Sequence, residues 1–191
     1  KKIREKKTIL EKDKNLFFNV ATAVYWDGQY EDIMFLLRGQ NSEGENSHPA
    51  MYATFAEASI LAAAIGLKED RLKKLSTDNR KEIPLSVYKG RGLGNKTDPG
   101  LDEYIALISI IKLNNVKLLE DEEDADYDNQ NNLILTFQGL VNGGLEFLRG
   151  ELSSSTDPTG KSILFNQITE SLKTINTKDE NEKPLIDIFS I

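Results

Sequence analysis

Apolar positions recur along this chain at helical more often than strand spacing. Ile33, Met34, Leu36 and Leu37 form a short helical stripe after the turn signal Asp27-Gly28. From Met51 through Phe55, Ala58, Ile60, Leu61, Ala62, Ala64 and Ile65, almost every turn is apolar, and Gly66 reads as the stop. So apolar and alanine-rich a helix is expected to pack on more than one side. A third helix begins near Asp98-Pro99, with Leu101, Tyr104, Ile105, Leu107, Ile108 and Ile111 as its expected buried face. Leu133 to Leu148 reads as a fourth, carrying Leu133, Ile134, Phe137, Leu140, Val141, Leu145 and Leu148, and Ile163 to Ile175 as a last.

One segment departs from this period. Ile83-Pro84-Leu85-Ser86-Val87-Tyr88 alternates as a short strand would, and Pro84, lacking an N–H, assigns it to a sheet edge. The expected fold is therefore mainly α: a compact helical domain with at most a short β element near residues 83–88. The polar run 39–47 contains no apolar residue and marks the expected boundary of an N-terminal helical appendage, residues 1–48, which opens as a fraying helix or basic arm. A core domain would span 49–152, and a C-terminal helix and tail, 153–191, would pack on it.

With 191 residues and 39% hydrophobic content, the chain can bury a core. No apolar run reaches the roughly 18 residues of a bilayer-spanning helix, and no signal-like segment opens the sequence, so a cytoplasmic protein without membrane contact is expected. The absence of cysteine excludes disulfides, thiolate nucleophiles and Cys-based zinc sites, and a single histidine excludes multi-His metal sites.

The net charge of −7 is unevenly distributed. Residues 68–96 hold 9 basic and 4 acidic groups, net +5, whereas 97–128 hold 2 and 10, net −8. Such a dipole bears on partners more than on fold. Arg71, Lys73, Lys74, Arg80, Lys89, Arg91 and Lys96 are the candidate DNA contacts, the last three in or beside the glycine-rich loop Gly90-Arg91-Gly92-Leu93-Gly94. The overall acidity argues against strong non-specific DNA binding.

Two motifs imitate known sites and fail on their missing parts. Ser155 to Ser162 ends in Gly160-Lys161-Ser162, but Ser155 replaces the first glycine of a phosphate-binding loop and a helix, not a strand, precedes it; a tight turn explains it. Asp124, Asp126 and Asp128 begin like a calcium loop, yet Asn129 and Leu135 stand where glycine and the bidentate glutamate belong. An acidic, solvated loop accounts for them. His48 has no recognisable nucleophile beside it, and Tyr25-Trp26 reads as a local apolar cluster closing the end of the first helix. No catalytic residue, cofactor or metal is expected.

Gly139, Gly143 and Gly144 each cost a helix roughly 1 kcal/mol relative to alanine, so close packing is expected of them. They line either an internal seam or, with Asn142, a groove for a partner.

Four segments carry a resemblance: YATFAEASILAAAIG at 52–66, IPLSVY at 83–88, YIALISI at 104–110 and, above all, QGLVNGGLEFL at 138–148. In order and spacing they resemble the short accessory proteins encoded beside DNA phosphorothioation (Dnd-type) modification and defence genes. The likeness spans residues 49–152. It implies a part in phosphorothioation-linked defence against foreign DNA and carries no catalytic residue with it. The expected function is that of a non-enzymatic accessory protein docking to larger defence or modification subunits, with a DNA-binding regulator using 68–96 as the alternative.

Overall fold

The computed structural model describes residues 21–40, 43–46, 49–76, 78–88, 100–115 and 127–153, with Ser162, Phe165, Asn166 and Thr169 beyond them. The chain divides into two compact units, Lys1–Arg149 and Gly150–Ile191. In the first, strand β1 (Ala23–Asp27) leads through a 3-10 turn (Gly28–Tyr30) into helix α1 (Glu31–Leu37). Helix α2 (Phe55–Lys68), strand β2 (Arg80–Pro84), the single helical turn α3 (Leu85–Tyr88), α4 (Leu101–Leu113) and α5 (Tyr127–Ser153) follow, the last four residues of α5 belonging to the second unit. In that unit the described residues Ser162, Phe165, Asn166 and Thr169 are helical. The fold is mainly α with one small antiparallel sheet, as the pattern predicts.

The sheet differs from the expectation in both partners and bounds. β1 pairs with β2 from Ala23↔Pro84 to Asp27↔Arg80, so the stretch 23–27, with the Tyr25-Trp26 cluster expected at a helix end, is extended. The bonds Gly28 N–H to Asn79 C=O (2.7 Å) and Leu85 N–H to Thr22 C=O (3.0 Å) fix which pairs exchange hydrogen bonds: those of the even-numbered β1 residues. Pro84 thus sits at a non-hydrogen-bonded position, where its missing N–H costs nothing. Beyond it the chain turns helical, burying Leu85 and Tyr88. Tyr88 stacks edge-on against Phe137, and its hydroxyl shares a 2.6 Å hydrogen bond with Ser59. Burial raises the Tyr88 pKa well above that of free tyrosine.

These contacts correct the boundary drawn at residue 48. Val24, Trp26, Tyr30, Ile33, Met34 and Leu37 lie in the core, so residues 23–37 are structural members of the first unit and not an appendage. Tyr25 and Trp26 sit on β1 instead of closing a helix. Residues 1–20, the glycine-rich loop with Lys89, Arg91 and Lys96, His48, the acidic cluster 120–124 and most of 153–191, with the Gly160-Lys161 turn, fall outside the described residues.

Helix α2 starts with a reciprocal capping box between Thr54 and Glu57, an arrangement whose cap is typically worth about 1 kcal/mol. It does not stop at Gly66. The chain continues to Lys68 and ends with Asp70 in the left-handed region at φ 52°, where Arg71 N–H reaches Gly66 C=O (2.7 Å) and Asp70 N–H reaches Leu67 C=O (3.2 Å). This is a Schellman closure with aspartate in the usual glycine position. The Lys112 ammonium of α4 pairs with the Asp70 carboxylate and holds its pKa below the ordinary value. The face of α4 is also rotated from the expectation. Ile105, Ala106, Ile108, Ser109 and Ile110 are buried, while Tyr104, Leu107 and Ile111 are 43%, 54% and 55% exposed. The face that meets α2, and that bonds Ser109 Oγ to Leu133 C=O of α5, wins over the strict apolar stripe.

Candidate functional site: a groove beside one end of helix α5

Helix α5 buries all seven apolar residues read from its period. Its glycines pack internally. A Cβ on Gly144 would lie 1.8 Å from Ala62 C=O, one on Gly143 2.1 Å from Arg71 C=O, and one on Gly66 of α2 2.1 Å from Leu140 C=O. Two helix backbones therefore touch through facing glycines, and residues 71–73 run along the same helix, with Lys73 N–H bonded to Gly139 C=O at 2.9 Å. Asn142 is fully buried and accepts Asp27 N–H at 2.9 Å, while its own Nδ2 has no hydrogen-bond partner among the described residues. Asn142, Gly143 and Gly144 thus lie in an internal seam, whereas Gly139, against Leu72, also lines the groove described below.

The candidate DNA contacts separate into three groups. The Lys73 ammonium is held by Glu146 of α5 and by the Tyr30 hydroxyl at 2.8 Å, which together keep its pKa raised. Arg71 lies over the Phe147 ring at 5.3 Å. Neighbouring Lys81 pairs with Glu31 at 3.0 Å. Lys74 and Arg80 differ. Among the described residues, Lys74 is exposed with no ion pair and Arg80 is anchored only through Nε on the Ser76 carbonyl at 2.9 Å. Lys89, Arg91 and Lys96 lie outside the described residues.

Lys74 and Arg80 meet in a groove of about 590 Å³. One wall is β1 with the chain leading into it, through Ala21, Ala23 and Tyr25. The opposite wall is α5, presenting two helical rows, Asn131–Leu135–Gln138 and Asn132–Thr136–Gly139. Leu72 and Leu75 from the segment after α2, and Ile134, supply its remaining apolar surface. Leu72 and Leu135 are 49% and 55% exposed, a solvent contact that leucine accepts at a cost. Among the described residues no aspartate or glutamate lines the groove, in a chain with net charge −7. Exposed leucines flanked by two cations and several amides can bind; they hold no paired acid and base. Among the described residues no three acidic or histidine side chains are grouped to hold a metal, and no helix is long and apolar enough to cross a membrane.

This wall of α5 carries no recognisable chemical motif in the sequence. The rows 131–135–138 and 132–136–139 are visible as polar positions at helical spacing interrupted by one leucine, but only the arrival of β1 opposite them makes a groove.

No curated protein and no solved structure matches the chain. A family model does, over residues 31–185, reaching beyond both ends of the segment 49–152 that carries the sequence resemblance and covering most of the chain. Its description is DNA sulphur modification system-associated protein 4, and the chain belongs to that family.

Proposed function

We propose that this chain is a non-enzymatic accessory protein of DNA sulphur modification systems, acting in their defence against phage by docking to larger subunits in the cytoplasm. The observation that carries this reading is what the fold does with the basic stretch. Arg71, Lys73 and Lys81 are engaged by Phe147, by Glu146 and Tyr30, and by Glu31, so among the described residues these three do not join Lys74 and Arg80 in one free row of cations. Tracking a phosphate backbone takes several free cations, each adding to a steep salt dependence. Two cations beside exposed leucines suit a polypeptide better, where charge sets specificity and apolar contacts supply affinity.

The test is affinity purification of the chain from its native host, with nuclease-treated and untreated lysates side by side. The expected result is recovery of sulphur-modification subunits in both. Recovery only with DNA intact would favour the second reading, a DNA-binding regulator using residues 68–96, for which Lys74 and Arg80 sharing an acid-free groove is the supporting observation. Recovery of none of these subunits under either condition would sink the docking role.

A further inference from the structure

We infer that the groove beside β1 is a strand-addition site, taking an extended, acidic segment of a protein partner along the outer edge of β1. This rests on the docking reading above and specifies its chemistry.

The register supplies the first argument. Even-numbered β1 residues exchange their backbone hydrogen bonds with β2, so the N–H and C=O groups of Ala23 and Tyr25 face the opposite edge. Asp27, the next odd residue, confirms the direction: its N–H crosses to Asn142 Oδ1 of α5. The side chain of Asn142 thus caps the edge at one end. One turn earlier on the same helix stands Gln138, buried like Ala23 at the floor of the groove, which reaches solvent at Leu135, Asn132 and Asn131. The two-stranded sheet ends at this edge among the described residues. An edge with unpaired backbone groups is a template for a further strand.

Charge and shape select the occupant. A strand over Ala21–Tyr25 needs about five residues at a rise of roughly 3.3 Å each. Its side chains alternate between the two faces. One set can reach Leu72 and Leu135, while carboxylates on the other meet Lys74 and Arg80, with no acid in the lining to repel them. The amides of Asn131, Asn132 and Gln138 can serve either its backbone or its carboxylates. A basic segment is excluded by the same two cations.

The probe is a blocked heptapeptide alternating glutamate with valine, titrated into the full chain and followed by fluorescence anisotropy. Three comparators go with it: the same peptide with lysine for glutamate, and two versions N-methylated at alternate residues in opposite phase. The inference expects binding of the acidic peptide and at least tenfold weaker binding of the lysine version. It also expects loss with one methylation phase only, because a strand uses alternate amides towards a given edge. Lys74→Glu and Leu135→Glu, both at exposed positions, should each weaken binding about tenfold or more with an unchanged melting temperature. No binding, equal binding of both charge types, or equal effects of both methylation phases would overturn the inference. So would displacement of the peptide by an oligothymidylate, which would make the groove a nucleic-acid site, or by the peptide of residues 1–20 of this chain. The docking role itself is read separately: if the Leu135→Glu chain still recovers the modification subunits from its host, docking stands and the groove is not its site.

Discussion

Helix α5 runs through two different environments. Along Leu140–Leu145 its neighbours are backbone: the carbonyls of Ala62 and Arg71 lie where a side chain would begin. Along Asn131–Gly139 one side of the helix instead lines the groove, with Asn131, Asn132 and Leu135 exposed and β1 and Leu72 across it. The difference is one of side-chain size. Glycine lets a helix and its neighbour touch main chain to main chain, so the seam closes without residual space. Asparagine, leucine and glutamine keep β1 at a distance and leave the groove between them. Adjacent lysines repeat the contrast: Lys73 is tied to Glu146 and Tyr30, and Lys74, one residue on, is available to the groove.

The largest effect should come from closing the contrast at its tight end. Gly144→Val places atoms against the Ala62 carbonyl, which is backbone and cannot swing aside; a loss of about 3 kcal/mol or more, up to failure to fold, is expected in urea denaturation. The equivalent change at Gly150, where nothing lies within 4 Å, should be close to neutral. Asn142→Ala tests the junction between the two ends. It strands the buried Asp27 N–H, and a loss of about 2 kcal/mol is expected by the same measurement.

Tyr88→Phe should cost about 1 kcal/mol near neutral pH through the lost bond to Ser59. At high pH the order changes. The Tyr88 pKa is raised in the folded state, so its contribution is intact below the ordinary tyrosine value of 10.0 and is lost as pH rises above it, because the unfolded chain ionises first. Lys73, raised above 10.5, adds to the same alkaline loss. Stability profiles from pH 8 to 12 should therefore fall less steeply in Tyr88→Phe than in the parent; parallel profiles would show that the hydroxyl does not titrate as its burial requires.

The smallest effect concerns the two lysines. Lys73→Met should lower stability by up to about 1 kcal/mol, the pair with Glu146 being partly exposed and so weakened by solvent. Lys74→Met should leave the melting temperature unchanged and reduce only peptide binding in the groove. A stability loss at Lys74 equal to that at Lys73 would erase the distinction between the two environments.

Much of this molecule could be read from its sequence because much of it is local. The seven buried apolar residues of α5 follow from a 3.6-residue period, and the helix persists beyond both expected ends. The glycines announced close packing, since nothing local repays their cost in a helix. What sequence could not show was the side on which each element finds its neighbour. Gly66 reads as a stop by position, yet it is the contact point with Leu140, and Asp70 ends the helix with support from Lys112. α4 presents Tyr104, Leu107 and Ile111 outward although they complete its apolar stripe. Of the candidate site, Lys74 and Arg80 were legible as cations, but not as the two that remain available to the groove.

Fold class, the placement of α5 and the family itself were already determined by the sequence, through periodicity and a few short motifs. The pairing of 23–27 with 80–84, the sorting of cations into engaged and available, and the groove came only with tertiary structure. Each depends on contacts between residues far apart in the chain, which local propensity does not encode and which form only when the core brings them together.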